Sequence, residues 1–281
     1  MITDLARRAT IDGVTLAWDR WGDDDGTPFV LCHGFSGSSH DFATHIESLA
    51  ASRGVATVDH RGHGRSEKLG ATDGYSLDRL AADLIELLDT QIGRPVDLLG
   101  HSMGGAISLR VTLDRPDLVR SLILMDTSAW SFQPPDPEVA RMMATFLQGF
   151  DPTRGLPGAA AFANPEDALI EAATPAEWQA IKADMAAAFD PYAFKALGRE
   201  LFEPGSASLR HRLGEIVCPV TVIVGEHDHP FVGQAPELAA EVAADHGGGV
   251  LSVIAGAYHS PQLTHADEWM AAVRGHLARV G

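Results

Sequence analysis

The chain has 281 residues, 45% hydrophobic and 21% charged, a globular balance that excludes a disordered chain and suits one large core carrying an insertion. Its 38 acidic residues against 21 basic ones give a formal charge of -17, so the average surface repels nucleic-acid phosphates and anionic headgroups, and neither nucleic acid nor membrane is expected as a partner. No run reaches the roughly 18 apolar residues of a membrane span, MITDLARRATIDG lacks the apolar stretch of a secretory leader, and Cys32 and Cys218 read as buried thiols, so a cytoplasmic location is expected.

At the N-terminus, RRATIDG and VTLAWDRWG carry alternating or β-branched residues around Asp12-Gly13, which predicts an antiparallel hairpin with a tight turn. Four continuous apolar runs follow, at 28–34, 54–60, 95–102 and 119–126, and such runs suit strands buried on both faces of a parallel sheet. Helical patterns separate them. SLDRLAADLIELLDTQIG places Leu77, Leu80, Ala81, Leu84, Leu87 and Leu88 on one stripe, with Ser76 as N-cap and Gly93 as stop. The stretch from Gly104 to Arg115 is helix-compatible and Pro116 marks its end.

From about Thr127 to Arg212 the alternation breaks into short helices punctuated by prolines, which predicts a helical insertion capping the sheet. Within it Met142, Met143, Phe146, Leu147, Trp178, Met185, Phe189 and Phe194 are expected to pack together, with a minority facing a pocket. The sheet pattern resumes with CPVTVIVGEHD (218–228), a helical PELAAEVAADH (236–246), GGVLSVIAGAYH (248–259) and a final helix. The expected architecture is an α/β fold with a mostly parallel eight-stranded sheet flanked by helices, a core of 1–126 and 213–281, and a cap of 127–212.

The stretch VDLLGHSMGGA places Ser102 between a buried strand and a helix, bracketed by Gly100 and Gly104. That is the setting of a nucleophile elbow, a strained turn that exposes a serine hydroxyl above a sheet and aims helix N-terminal amides at developing negative charge. The glycines of RGHGRS form no phosphate loop, since neither G-x-x-x-x-G-K-[ST] nor G-x-G-x-x-G follows a strand, and no nucleotide cofactor is implied.

With HGFSGS at 33–38, DHRGHGRS at 59–66, GHSMGG at 100–105 and the pair GEHD and AGAYH, the chain resembles the α/β-hydrolase superfamily over nearly its whole length. The resemblance implies that Ser102 is the nucleophile and His259 the base. It implies Asp228 as the acid, with Asp126 at the end of VRSLILMD as rival. It implies an oxyanion hole from the backbone N–H groups of Phe35 and Met103, and no metal at His60-x-x-His63 or His227-Asp228-His229. His101 is expected to be a neighbour, not the base.

The implied activity is hydrolysis of small to medium, partly hydrophobic carboxylic esters, lactones included, through an acyl-enzyme on Ser102 and without a cofactor. Phe35, His40, Trp130 and Phe132 are expected at the mouth as substrate-binding residues. A serine nucleophile argues against dehalogenase or epoxide hydrolase chemistry. Three alternatives stay open: a meta-cleavage carbon–carbon bond hydrolase, although such enzymes show Asn where this chain has His101, a cofactor-free perhydrolase, and a slow-turnover ligand receptor.

Overall fold

The computed structural model describes residues 5–23, 25–130, 132, 134, 136–157, 164–203, 208–244 and 247–281. The expected hairpin opens the fold. β1 (Arg7–Ile11) pairs antiparallel with β2 (Val14–Trp21), and Asp12 and Gly13 take φ values of +48° and +76°, the left-handed geometry a tight two-residue turn demands. The chain then runs β3 (Phe29–Cys32), α1 (Ile46–Ala50), β4 (Val55–Val58), α2 (Leu77–Leu87), β5 (Val96–His101), α3 (Met103–Asp114) and β6 (Val119–Met125). Four helices follow, α4 (Pro137–Gly149), α5 (Asp167–Ala173), α6 (Ala176–Ala187) and α7 (Pro191–Phe202), with no strand among the described residues of that region. The sheet pattern returns with β7 (Val220–Gly225), α8 (Phe231–Glu241), β8 (Val250–Ile254), α9 (Pro261–Thr264) and α10 (Ala266–Arg279).

The eight strands are ordered β1-β2-β4-β3-β5-β6-β7-β8, with β2 antiparallel to both neighbours and all pairings from β4 to β8 parallel. From β3 the chain crosses to β4 on one side and then to β5 on the other. The winding therefore reverses there, and the carboxyl ends of β3 and β5 border a switch point of the kind where open α/β sheets hold ligands. β3, β4, β5 and β7 are buried at every residue, as their continuous apolar runs require. β8 has only one neighbour, and Val250 and Val253 are 47% and 50% exposed at this edge.

Helices cover both faces. Leu80 and Leu84 of α2, Ile107 of α3 and Leu238 of α8 join one apolar cluster, while Ile46 and Leu49 of α1 pack with Trp269 and Val273 of α10 on the other. The α2 stripe is buried as expected and Ser76 caps the helix, its hydroxyl accepting the Arg79 N–H at 3.0 Å. Each such fully buried leucine contributes about 1.5–3 kcal/mol.

Two local expectations shift. α8 starts at Phe231 and passes through Pro236, because Phe231 and Ala235 are buried and packing holds the earlier turn together. The helix also stops at Glu241, short of the expected 246, because Val242 turns to extended backbone at ψ 128°; residues 245–246 lie outside the described residues. In α4 the buried positions are Ala140, Ala144 and Leu147, spaced four and three apart, so Met142 falls on the outward face at 69% exposure, while Phe146, 42% exposed, still meets the Phe150 and Phe194 rings at 5.9 and 6.4 Å. Leu147, Trp178, Phe189 and Phe194 are buried.

Candidate active site

The turn after β5 is strained as the bracketing glycines suggest. Ser102 takes φ +53° and ψ -118°, and Met103 begins α3 directly behind it. A β-carbon on Gly104 would lie 2.4 Å from the Cys32 carbonyl oxygen, and one on Gly100 would lie 2.3 Å from the Gly104 carbonyl oxygen. These glycines let α3 rest against the ends of β3 and β5. Because the obstructing atoms at Gly104 are backbone, Gly104→Ala is expected to cost about 1–3 kcal/mol of stability, read as a lower urea midpoint at unchanged slope. The Ser102 N–H donates to the Met125 carbonyl at 2.9 Å and the Thr127 hydroxyl to the Ser102 carbonyl at 2.7 Å, tying the turn to β6 and the segment after it.

Ser102 opens onto a cleft of about 690 Å³ that Phe35, Glu166, Lys182, Asp228 and His259 also line. His259 hangs from the loop between β8 and α9, and its Nδ1–H donates to Asp228 Oδ2 at 2.9 Å. A carboxylate only accepts, so this contact sets the tautomer and leaves Nε2 able to take a proton. Burial lowers the His259 pKa, but the charge and hydrogen bond of Asp228, with the charge of Glu166, outweigh it and hold the imidazole above its ordinary 6.5. Asp228, despite burial, is held below the usual carboxylate value by the His259 charge and hydrogen bond.

Asp126, the rival acid, is wholly buried with φ +47°, and its Oδ1 accepts the Gly225 N–H at 2.8 Å. Burial, with the Asp228 charge beside it, pushes its pKa well above the carboxylate range, which favours the protonated form. His101 stands against the back of His259. Its Nε2–H donates to the His259 carbonyl at 2.8 Å, the rings lie 4.8 Å apart, and burial drives its pKa down to about 3. A neutral imidazole committed to a backbone carbonyl supports its neighbour and does not take up protons.

A β-carbon on Gly34 would stand 3.1 Å from the Ser102 β-carbon, so the loop after β3 runs directly beside the serine. Phe35, next in the chain, turns its ring toward Phe189, Phe194 and Phe202 at 5.4 to 5.9 Å. The Met103 side chain is fully buried beneath the turn.

HGFSGS and DHRGHGRS are laced together behind this corner. His33 Nδ1–H donates to the Gly34 carbonyl at 2.8 Å while its Nε2 accepts the His60 N–H at 3.1 Å. Asp59 accepts the N–H groups of Ser39 and Arg65, both at 2.7 Å. Burial holds His33 and His60 well below 6.5 and thus uncharged. Among the described residues no group of three or more His, Cys, Asp or Glu side chains is arranged to hold a metal ion, and no helix is long and apolar enough to cross a membrane.

Three residues expected at the mouth lie elsewhere. His40 is 2% exposed and clamps the loop after β3 to α6: its Nε2–H donates to the Trp178 carbonyl at 3.0 Å, Trp178 Nε1–H donates to the His40 carbonyl at 3.1 Å, and the rings stack. Trp130 and Phe132 line a separate cavity of about 20 Å³ beside Arg110 and Glu200. Arg210 lies over the Trp130 ring, and Phe132 packs edge-on against Phe231 at 4.8 Å. An apolar ring after a strand end fills interior space as readily as it faces a ligand, and periodicity does not separate the two.

Asp41, Glu166 and Lys182 were missed. Lys182 forms an ion pair with Asp41 across the cleft wall, and Glu166 Oε1 accepts the Ser260 N–H at 2.6 Å. The one sequence signal was that Lys182 is the only basic residue between Arg154 and Lys195.

A profile of the alpha/beta hydrolase fold matches residues 27–266. The chain is 37% identical over 123 residues to the sn-1-specific diacylglycerol lipase ABHD11 of Danio rerio, covering 42% of this chain and 38% of that protein. It is 31% identical over 215 residues to a protein of Rhizobium rhizogenes strain K84 with the provisional name carbamate hydrolase RutD, covering 74% and 77%. Among solved structures, an enol-lactonase from Burkholderia xenovorans LB400 superimposes with a TM-score of 0.78 at 24% identity, covering 97% of this chain and 100% of that one. The chain spans about a third to a half of the length of several curated relatives it matches.

Proposed function

The chain belongs to the alpha/beta hydrolase fold family, and on that premise we propose that it hydrolyses small to medium, partly hydrophobic carboxylic esters, lactones included, through an acyl-enzyme on Ser102. The observation that carries the reading is the His259 Nδ1–H bond to Asp228 at 2.9 Å in the cleft that also holds the strained Ser102. Ser102 Oγ attacks the ester carbonyl as His259 Nε2 removes its proton, forming a tetrahedral oxyanion. The backbone N–H groups of Phe35 and Met103 receive that charge, supported by the N-terminus of α3. The intermediate collapses, the C–O bond breaks, and the alcohol leaves with the proton from His259. Water then attacks the acyl-enzyme with His259 again as base, releasing the carboxylic acid and restoring Ser102.

In this reading the helical region 127–212 is a cap, and the turn before α5 brings Glu166, and α6 brings Lys182 and Trp178, to the cleft. The Danio rerio relative carries an ester-cleaving name and the Burkholderia neighbour a lactone-cleaving one, both compatible with this chemistry. Carbamate cleavage, suggested by the Rhizobium relative, would use the same attack on a carbonyl.

The deciding test is a panel of short-acyl p-nitrophenyl esters, lactones, carbamates and highly charged esters. Turnover confined to carbamates or to highly charged esters would overturn the substrate assignment. The base must be neutral to act, and the folded pKa of His259 is raised, so kcat/KM is expected to fall as pH drops through a limb lying above 6.5. A limb below that value counts against His259 as the base.

A further inference from the structure

We infer that Glu166, carried by the helical region just before α5, is a positioning residue for His259: its carboxylate holds the peptide following the histidine and sets negative charge beside the imidazole. The inference rests on the proposed role of His259 as base. Glu166 is only 4% exposed, and a carboxylate that deep needs compensating interactions. Its Oε1 accepts the Ser260 N–H at 2.6 Å.

His259 is thereby held at three points. Asp228, after β7, takes Nδ1–H at 2.9 Å, and His101, at the end of β5, takes the His259 carbonyl at 2.8 Å. The third hold, on the next amide, comes from outside the sheet. Glu166 itself is presented by an ordered turn, in which Asn164 Oδ1 accepts the Glu166 N–H at 2.8 Å and Asp167 accepts the Asn164 N–H at 2.9 Å. Displacing this part of the helical region would release Ser260 and withdraw a negative charge from the imidazole together. The base is then fully set only when the region is seated on the cleft.

The ionisable groups that share the cleft with His259 include Asp228 after β7, Glu166, the Asp41–Lys182 pair and His227, with His101 in β5 behind the imidazole and Asp126 after β6 beside Asp228. Burial disfavours charge on Asp126 and His101, Asp41 and Lys182 offset each other as an ion pair, and Asp228 and Glu166 favour the imidazolium. Burial raises the Glu166 pKa above the ordinary glutamate value, and the Ser260 N–H and the His259 charge offset only part of that rise.

Three variants separate the two contributions. Glu166→Gln keeps an acceptor and removes the charge, Glu166→Asp keeps the charge and shortens the reach, and Glu166→Ala removes both. The His259 imidazole titration is followed by NMR, assigned by its absence in His259→Ala, beside kcat and KM for p-nitrophenyl butyrate and the thermal unfolding of each variant.

Glu166→Gln is expected to move the His259 titration and the acid limb of kcat/KM to lower pH, with a smaller loss of kcat than Glu166→Asp shows. Glu166→Asp is expected to leave the titration in place and lower kcat about tenfold with little change in KM. Glu166→Ala should do both. A loss of thermal stability alone, with the titration unmoved in Glu166→Gln and kcat unmoved in Glu166→Asp, overturns the inference. If the wild type turns over no ester, the proposed function fails, while the NMR titration still decides the part played by Glu166.

Discussion

Ser102→Ala is expected to lower the hydrolysis of p-nitrophenyl butyrate by about 10⁴-fold or more, the scale on which removing a serine nucleophile acts in hydrolases of this mechanism. The loss should fall on kcat, because the side chain removed forms the bond to the acyl carbon. The fold should survive. Ser102 adopts φ +53° whichever side chain it carries, and its anchoring bonds run through the backbone to Met125 and from the Thr127 hydroxyl to its carbonyl. Alanine keeps both. Steady-state kinetics beside thermal unfolding, with covalent labelling by a fluorophosphonate, measure the effect. Equal turnover and equal labelling of the two proteins would remove Ser102 from the chemistry and with it the acyl-enzyme reading.

Asp228→Asn is expected to reduce kcat by about 10⁴-fold, because the amide presents an NH₂ group where His259 Nδ1–H needs an acceptor and stabilises the wrong tautomer. Asp126→Asn should cost less than about tenfold. Burial already favours the uncharged form of Asp126, and an Asn carbonyl can still accept the Gly225 N–H now bound at 2.8 Å. The contrast matters because both aspartates end neighbouring parallel strands at the same sheet edge. Loss of turnover from Asp126→Asn alone would move the acid to β6. The same measurement carries a pH signature. The Asp228 charge is the leading influence raising the His259 pKa, so the residual activity of Asp228→Asn should titrate at lower pH than wild type.

The fold was legible because its strongest sequence signals are physical necessities. A strand buried on both faces reads as a near-continuous apolar run, as β3 and β7 do, and where β5 buries Asp97 the carboxylate is paired with Arg53 and Arg120. A helix against a sheet must carry its leucines on one stripe, as α2 does. The serine turn was equally legible, since only glycine fits where a β-carbon would come within 2.4 Å of backbone oxygen. The wall of the cleft was not. Its residues come from helices with short, irregular apolar patterns, and their facing is set by packing against the sheet. His40 and Phe132 went inward and Trp130 lies half-buried under Arg210, while Glu166 and Lys182, with no motif around them, came to the cleft.

The sequence by itself determined the strand and helix succession, the strained serine and the family's set of candidate groups, because each depends on residues a few positions apart. Only the tertiary structure shows that Asp228 Oδ2 accepts the His259 Nδ1–H at 2.9 Å while Asp126 Oδ1 accepts the Gly225 N–H, and neither contact is a property of local sequence. It likewise joined Glu166 to Ser260 across 94 positions, a contact that exists only once the helical region has packed over the sheet.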